Sequence, residues 1–302
     1  MSSPGVVAQD DWLRVRERGS GVLLHAYARL SRAIGRGPSR VLLHAITAYY
    51  LLFAPRARRH SRDYLRRALG RPPTLTDVYR HFSCFATTIH DRVFLAAGAI
   101  DAFDVEVQGA ECLAAARATG QGALLMGAHL GSFEMVGAVG ERHAGAPVAM
   151  AMYEENARKM RAMMGALRSQ AAPEVVPLGR VSSLLRIRDL LDAGGFVGVL
   201  ADRTRGDEPV QRVRLLDADA SLPLGPFRAA AMLRRRVIFM AGVHEGGRRY
   251  RVLFEPLADF TTVEAGGRDA AIAAAVEAYA ARLTALCRAA PFNWFNFYDV
   301  WR

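Results

Sequence analysis

The chain has 302 residues, a hydrophobic fraction of 51% and a formal net charge of +11. This length and apolar content suffice for a sizeable core, which excludes an intrinsically disordered chain. Cys84, Cys112 and Cys287 lie far apart in the sequence and form no C-x-x-C pair. They therefore predict neither a disulfide framework nor a zinc site, and they fit a reducing compartment.

Arginine supplies nearly all of the positive charge, because Lys159 is the only lysine. Guanidinium groups bind phosphates with a planar fork, so the composition fits nucleic acid, anionic lipid headgroups or phosphorylated carriers as partners. The arginines are dispersed, and neither a known nucleic-acid-reading motif nor an aromatic platform accompanies them. We therefore expect no nucleic-acid partner. The first twelve residues are polar, so we also expect no signal peptide.

Residues 1–100 are predicted to form a helical N-terminal section that contacts a membrane. Apolar residues recur at helical spacing in LLHAYARLSRAI, VLLHAITAYYLLF and VYRHFSCFATTIHDRVFLAA. Gly70, Pro72 and Pro73 mark a linker before the third of these stretches. Thr76 and Asp77 are expected to cap the helix that follows the linker.

The most apolar long stretch covers residues 41–54 (VLLHAITAYYLLFA) and is too short for an ordinary transmembrane span. Its flanking arginines are Arg32, Arg36, Arg40, Arg56, Arg58 and Arg59. The pattern is typical of a helix in the interface of an anionic membrane, with Tyr49 and Tyr50 at headgroup depth. The alternative is a buried core helix with a solvated basic rim.

From residue 101 onwards, short β-like runs alternate with helical stretches. The predicted strands are FDVEVQG, GALLMGA, PVAMAMY, EVVPLG, FVGVLAD, RVRLLDA, RRVIFMAGVHEG and YRVLFEPL. The predicted helices are ECLAAARATG, SFEMVGAVGERHA, ENARKMRAMMGALRSQ, VSSLLRIRDLLDAG, FRAAAML and DAAIAAAVEAYAARLTALCRAA. The alternation predicts an α/β fold over residues 101–302, with a central, mostly parallel or mixed β-sheet flanked by helices. We expect this catalytic region to be one continuous domain.

The stretch MGAHLGSFEM, residues 126–135, contains the first candidate catalytic residues, His129 and Glu134. On a continuous helix their side chains would be about 140° apart and would not meet. A strand before His129 and a helix capped by Ser132 would instead place His129 on the connecting turn, where Glu134 reaches back to it. A carboxylate that holds one imidazole nitrogen leaves the other free to take a proton from a hydroxyl. The stretch therefore predicts a His129–Glu134 general-base dyad.

Two further stretches are predicted to bind substrate. Asp202 and Arg203 follow an apolar strand, and Arg205 adds a second cation nearby. Strand ends of this kind hold the sites of α/β sheets, so we expect this group to position substrate or phosphate, with a structural salt bridge as the alternative. Gly225 and Pro226 form a constrained turn before a helix whose amino end would face an anion. The alternative there is an ordinary strand-to-helix connection.

In this order, the three stretches resemble the bacterial lipid A lauroyl/myristoyl acyltransferase family of the lysophospholipid acyltransferase superfamily. The resemblance covers residues 20–302, and its strongest element is the His-x4-Asp/Glu motif at His129 and Glu134. It implies a glycerolipid-acyltransferase-like fold in which His129 is the general base on an acceptor hydroxyl and Glu134 orients it. The implied donor is an acyl thioester of acyl carrier protein or coenzyme A. Glu134 stands where the superfamily more often has Asp, as is usual in this branch.

Residues 291–302 (PFNWFNFYDVWR) narrow the resemblance to a subgroup associated with enzymes that make aryl polyene or related pigment lipids. The aromatic side chains of this tail are expected either to dock onto the core or to form an aromatic belt at a membrane. They are Phe292, Trp294, Phe295, Phe297, Tyr298 and Trp301.

The sequence thus predicts an O-acyltransferase at the cytoplasmic face of the bacterial inner membrane, with an anionic membrane surface as a partner. It would move an acyl chain from a carrier thioester to a hydroxyl of a lipid or glycolipid, with no metal or other cofactor. Because no nucleophile elbow is present, we expect no covalent acyl-enzyme. The alternatives are a lipid A or phosphatidylinositol-mannoside-type glycolipid acyltransferase, which differs in acceptor, and a non-catalytic basic membrane-binding protein.

Overall fold

The structure is a computed structural model that describes residues 21–158, 174–204 and 208–301. Helices occupy the N-terminal part of the described chain, which confirms the predicted helical section from residue 21 onwards. They are α1 (Gly21–Ile34), α2 (Arg36–Phe53), α3 (Pro55–Leu69) and α4 (Leu75–Leu95). Thr74 rather than Thr76 caps α4, because Thr74 and Asp77 stand three residues apart and form a reciprocal capping box.

Strands and helices alternate in the remainder of the chain. The strands are β1 (Asp104–Gln108), β2 (Ala123–Gly127), β3 (Val148–Tyr153), β4 (Val175–Leu178), β5 (Phe196–Leu200), β6 (Val210–Leu215), β7 (Ala218–Pro223), β8 (Arg236–Gly246) and β9 (Arg249–Asp259). The helices are α5 (Ala110–Ala118), α6 (Phe133–Ala144), α7 (Val181–Asp192), α8 (Gly225–Met232) and α9 (Arg268–Ala289). Most of the predicted helix ENARKMRAMMGALRSQ lies outside the described residues.

Among the described residues, seven strands form one sheet in the order β1-β9-β8-β2-β5-β3-β4. The run from β8 to β4 is parallel, whereas β9 is antiparallel to β8 and parallel to β1. All residues of β2 are buried, as is usual for a central parallel strand covered by helices on both faces. The predicted α/β fold class with a mostly parallel central sheet is confirmed.

The strands β6 and β7 form a separate antiparallel hairpin. The second of these strands was not predicted, because its last residues belong to SLPLGPFR, which reads as a turn. Pro223 is the final residue of β7, a position where proline's missing N–H is tolerated. The sequence therefore predicted β6 but not β7.

The pairing of β2 with β5 determines where the predicted site lies. These strands are parallel neighbours, and Gly127 at the end of β2 pairs with Leu200 at the end of β5. His129 follows the end of β2 by two residues, and Asp202 follows the end of β5 by two residues. Because the register is matched, the two residues leave the sheet side by side at its carboxyl edge.

By length and composition, residues Ala265–Ala289 are long and apolar enough to cross a membrane, which on its own is weak evidence for a span. One face of α9 packs on the sheet in the structure. The Tyr279 hydroxyl donates a 2.8 Å hydrogen bond to the Gly127 carbonyl oxygen, and its ring packs against Phe227 and Phe239. This helix thus covers the core beneath the end of β2.

Candidate active site

The turn between β2 and α6 carries His129. Its sharp path needs glycine at position 131, where φ is +66° and a Cβ would lie 1.9 Å from the Gly242 carbonyl oxygen. Ser132 caps α6 by accepting a 3.1 Å hydrogen bond from the Met135 N–H. The strand, turn and capped helix predicted from this stretch are therefore all present.

Asp202 holds the imidazole of His129. Its Oδ1 lies 2.8 Å from His129 Nδ1, and its Oδ2 accepts a 3.0 Å hydrogen bond from the His129 backbone N–H. A carboxylate only accepts, so Nδ1 carries the proton and Nε2 carries the lone pair. The His129 side chain is 30% exposed, and Nε2 has no hydrogen-bond partner among the described residues. This geometry presents an oriented base.

The predicted contact between Glu134 and His129 is wrong. Glu134 Oε1 pairs instead with Arg92 Nε of α4 at 2.7 Å, and its Oε2 is buried without a partner in the described part of the chain. The first turn of α6 directs Glu134 towards α4, whereas Asp202 is brought to His129 by strand pairing. Asp202 therefore occupies the position that the sequence analysis gave to Glu134.

The electrostatics keep His129 neutral and Asp202 charged. Burial lowers the pKa of His129 below its ordinary value of 6.5, and the charges of Arg203 and Arg92 lower it further against the opposing effect of Asp202. Burial alone would raise the pKa of Asp202. The contacts with His129, Arg203 and Trp294 outweigh that effect and hold the pKa well below its usual range. Near neutral pH the imidazole is thus ready to accept a proton.

The aromatic tail docks onto this site. The buried Trp294 donates from Nε1 to Asp202 Oδ2 at 2.9 Å. The Phe295 N–H donates to the His129 carbonyl oxygen at 2.8 Å, and the Tyr298 hydroxyl donates to the Asp202 carbonyl oxygen at 3.1 Å. Of the two interpretations given for the tail, docking onto the core is what the structure shows.

Arg203 lies between the tail and the His129–Asp202 pair. One guanidinium nitrogen donates to the Phe295 carbonyl oxygen at 3.1 Å, and the guanidinium carbon lies 5.3 Å from the centre of the Tyr298 ring. Its positive charge acts on both His129 and Asp202. The structure therefore brings His129, Asp202 and Arg203 together at one edge of the sheet.

The sequence model of the bacterial lipid A biosynthesis acyltransferase family matches residues 77–302, well over half of the chain. The chain belongs to this family. It is therefore an acyltransferase of lipid biosynthesis, which uses an acyl donor and a lipid acceptor. A comparison with curated proteins found no match. The matched residues contain every strand of the sheet, the His129–Asp202 pair and the docked tail.

Two other residues predicted to bind substrate, Gly225 and Pro226, form no hydrogen bond with His129 or Asp202 in the described part of the chain. Gly225 and Pro226 begin α8, and the preceding Leu224 N–H donates to the Pro209 carbonyl oxygen at 2.9 Å. Arg205 lies outside the described residues.

Two residues that contact the candidate site were not predicted from the sequence. Arg92 reaches the site from α4, where it appears in the sequence as one more arginine of a helix. Trp294 belongs to a tail whose aromatic residues were noted without a catalytic partner. In the described ranges, no cluster of three or more His, Cys, Asp or Glu residues has the arrangement to hold a metal ion.

Proposed function

We propose that the acyltransferase moves an acyl chain directly from a carrier thioester to a hydroxyl group of a lipid or glycolipid, with His129 as the general base. One observation carries the proposal: buried Asp202 holds Nδ1 of a neutral imidazole while Nε2 remains open. This is the arrangement that a base needs to deprotonate a hydroxyl in a single oriented contact.

In the proposed reaction, His129 Nε2 takes the proton of the acceptor hydroxyl as the oxygen attacks the thioester carbonyl carbon. The carbon–oxygen bond forms, and the tetrahedral intermediate collapses with cleavage of the carbon–sulfur bond. The leaving thiolate takes the proton back from the imidazolium, which gives an ester and a free thiol. The charged Asp202 stabilises the imidazolium between these two steps.

We assign Arg92 and Arg203 to the phosphate groups of the donor or acceptor. Both cations act on His129, so a phosphate bound by them would lie close to the base. Glu134 then has a supporting role, because its carboxylate fixes the Arg92 side chain. The substrate-binding roles of Arg205, Gly225 and Pro226 stay predictions.

Thioester turnover tests the proposal. Purified protein is incubated with acyl-coenzyme A or acyl carrier protein thioesters and a bacterial lipid extract, while free thiol is measured and products are analysed by mass spectrometry. We expect thiol release with formation of a new lipid ester, and loss of both in His129→Ala. His143→Ala, on the exposed surface of α6, is the matched control. Absence of release with every donor would favour a non-catalytic membrane-binding protein.

We also propose that the enzyme works on a membrane surface through α1 and α2. Thirteen large hydrophobic side chains are exposed in the described residues, and eight of them lie within residues 30–53. These eight are Leu30, Ile34, Val41, Leu42, Tyr49, Tyr50, Leu52 and Phe53. The face of α2 that is buried carries Ser39, Leu43 and Thr47. A helix that hides hydroxyl groups and exposes apolar side chains suits an apolar surrounding.

The basic flanks support this membrane proposal only in part. Arg36 is 2.7 Å from the buried Asp91, so it stabilises the packing of α2 on α4 rather than facing lipid. Arg40 donates to the Gly247 carbonyl oxygen, and Arg58 donates to the Leu51 carbonyl oxygen. The exposed Arg59 at the end of this region remains suited to a headgroup phosphate.

The cytoplasmic face of the inner membrane is the proposed location, since thioester carriers are cytoplasmic and the three cysteines are free thiols. For the acyl group we propose a fatty or polyene-type chain, because residues 291–302 resemble the subgroup associated with aryl polyene or related pigment lipids. A lipid A or phosphatidylinositol-mannoside-type acceptor is the alternative. Mass spectrometry of lipids from a deletion strain distinguishes them, because the missing ester identifies both acyl chain and acceptor.

A further inference from the structure

We propose that Trp294 is a positioning residue of the acyltransferase, whose indole N–H fixes the carboxylate of Asp202 in the plane that orients His129. This role extends the proposed general-base mechanism. Only its kinetic test depends on that mechanism. Its structural readout, the titration of His129, needs no substrate.

The carboxylate of Asp202 receives three hydrogen bonds. Oδ1 accepts from His129 Nδ1 at 2.8 Å, and Oδ2 accepts from the His129 backbone N–H at 3.0 Å and from Trp294 Nε1 at 2.9 Å. Both hydrogen bonds from His129 come from a single turn. By themselves they would let the Asp202 carboxylate move together with that turn relative to the core. The indole approaches from a different segment, so it fixes the carboxylate relative to the core.

Trp294 is itself rigidly held. Its carbonyl oxygen accepts a 2.8 Å hydrogen bond from Nε2 of the buried His81, whose Nδ1 accepts from the Ser61 hydroxyl at 2.8 Å. Its ring packs edge-on against Tyr64 and Trp301, with centroid distances of 5.2 and 6.1 Å. A fully buried ring held on several sides makes a fixed reference for the hydrogen bond that it donates.

The tail is also joined to the His129 turn through its backbone. The Gly131 N–H donates to the Asn293 carbonyl oxygen, and the Phe295 N–H donates to the His129 carbonyl oxygen, each at 2.8 Å. The residues on either side of Trp294 are therefore anchored to the residues on either side of Leu130. This double attachment places the indole beside Asp202 without dependence on solvent-exposed contacts.

Several charged or titratable groups surround the catalytic pair, and they determine the expected direction of the effect. Arg203 and Arg92 act on His129, while Tyr279, Tyr298 and Cys287 are influenced by the charge of Asp202. The hydrogen bond from the Trp294 indole N–H partly offsets the negative charge of Asp202. Without it, Asp202 attracts the imidazolium more strongly, so the pKa of His129 should rise.

The test compares Trp294→Phe with Trp301→Phe. Both variants keep an aromatic ring and remove one indole hydrogen bond, but the Trp301 indole donates to the Leu215 carbonyl oxygen at 3.0 Å. The titration of His129 is followed by NMR of the isotope-labelled imidazole. We expect the His129 pKa to rise in Trp294→Phe and to stay at the wild-type value in Trp301→Phe. An unchanged pKa in folded Trp294→Phe would overturn the proposal.

A wild-type measurement covers the case in which Trp294→Phe does not fold. The chain has three tryptophans, so the indole N–H signals are few and separable. We expect the Trp294 indole N–H signal to move as His129 titrates, since both bind the same carboxylate, and the Trp301 signal to stay constant. A Trp294 indole N–H chemical shift that stays constant while His129 titrates would show that the indole is not coupled to the His129–Asp202 pair, and would overturn the proposal.

Kinetics supply a third readout once acyl transfer is established. Loss of one hydrogen bond to a charged group should lower kcat by about tenfold in Trp294→Phe, with little change in KM. The acid limb of the pH–rate profile should move to higher pH together with the NMR titration. A variant that raises KM alone, with an unshifted profile, would assign Trp294 to structure and contradict the positioning role. If the wild type transfers no acyl group, the NMR results still decide the inference.

Discussion

At the scale of single residues, the site separates two carboxylates into different tasks. Asp202 is buried and charged beside the imidazole, whereas Glu134 holds an arginine on a neighbouring helix. In the proposed mechanism, the carboxylate in contact with the base stabilises the positive charge that forms on the imidazole. One that contacts only Arg92 acts on the base through the position of that cation.

Asp202→Asn should therefore cost far more activity than Glu134→Gln. Asn keeps the size but cannot stabilise the imidazolium, so the rate should fall on the order of 10² to 10⁴-fold. Glu134→Gln releases Arg92 and should raise KM more than it lowers kcat. Initial rates at varied donor concentration measure both effects, with thermal melts as a folding control. A larger loss of kcat in Glu134→Gln would restore that residue as the partner of His129.

The pH dependence of the rate should follow His129. The base must be neutral, so the rate falls as pH drops through the His129 pKa, which burial, Arg203 and Arg92 place below the ordinary 6.5. Arg203→Gln removes a cation that lowers this pKa, so the acid limb should move to higher pH. Arg186→Gln, which breaks an exposed pair with Glu174, is the control and should leave the limb in place. If the acid limb of the pH–rate profile did not move in Arg203→Gln, the charge of Arg203 would not lower the pKa of His129.

The sequence predicted features that depend on neighbouring residues, but not contacts between residues far apart in the chain. His129 and Asp202 were both singled out, because a polar residue after an apolar strand is visible in sequence. Their pairing was not foreseen, since nothing in a single sequence says that β2 and β5 are neighbours. The contact of Trp294 with Asp202, which spans 92 residues, was inaccessible for the same reason.

At the scale of elements, α4 joins the helical N-terminal part to the site. His81 on α4 donates to the Trp294 carbonyl oxygen, and Arg92 on the same helix pairs with Glu134 of α6. The alternating pattern predicted the strands of the large sheet and the helices around it. It did not reveal that α4 supports the tail, because that contact uses a buried histidine and a backbone carbonyl, neither of which leaves a periodic signal.

The stability of the fold should decrease as pH falls below about 6.5, partly because of His81. Burial lowers the pKa of His81 from 6.5 to about 4, so between these values the unfolded chain binds a proton that the folded chain does not. The contribution of neutral His81 to the free energy of unfolding is fully present above pH 6.5. About 3 kcal/mol of that free energy is lost by pH 4. His81→Gln keeps a donor for the Trp294 carbonyl without titrating.

Chemical denaturation at pH 7.5 and 4.5 measures this dependence. The difference in unfolding free energy between the two pH values should shrink in His81→Gln. The buried His90 and the half-buried His244, whose pKa values are also lowered, should supply part of the remainder. His143→Gln on the exposed face of α6 should behave as wild type. An equal pH dependence in His81→Gln and wild type would show that His81 does not titrate differently on folding.

At the scale of the whole molecule, apolar exposure is concentrated at one end of the described chain. The side chains of Val41, Leu52 and Phe53 are 69, 65 and 58% exposed, whereas Leu51 packs partly on the core. In the proposed membrane association, the excess of positive charge would favour approach to an anionic bilayer, and the apolar side chains would then favour insertion. Composition and the flanking arginines indicated this surface, but not that Arg36 is paired internally.

Liposome flotation tests the membrane surface. The variant Leu52→Ser/Phe53→Ser should float poorly with anionic vesicles, because it removes two exposed apolar side chains without entering the core. Leu185→Ser/Met232→Ser changes two other exposed apolar residues, which lie outside α1 and α2, and should float like wild type. Salt should weaken binding further, since attraction between exposed charges is screened over about 10 Å at 0.1 M. Equal flotation of both variants would place the contact surface elsewhere.

The position of β2 and β5 in the middle of the sheet has a consequence for inactivation. Each strand has a hydrogen-bonded neighbour on both sides, whereas β1 and β4 are the edge strands among the described residues and are expected to open first. The turns that carry His129 and Asp202 are therefore attached to the part of the sheet that we expect to exchange its amide protons last. Fraying at the edges leaves the catalytic pair assembled, so loss of activity on heating should coincide with global unfolding rather than precede it.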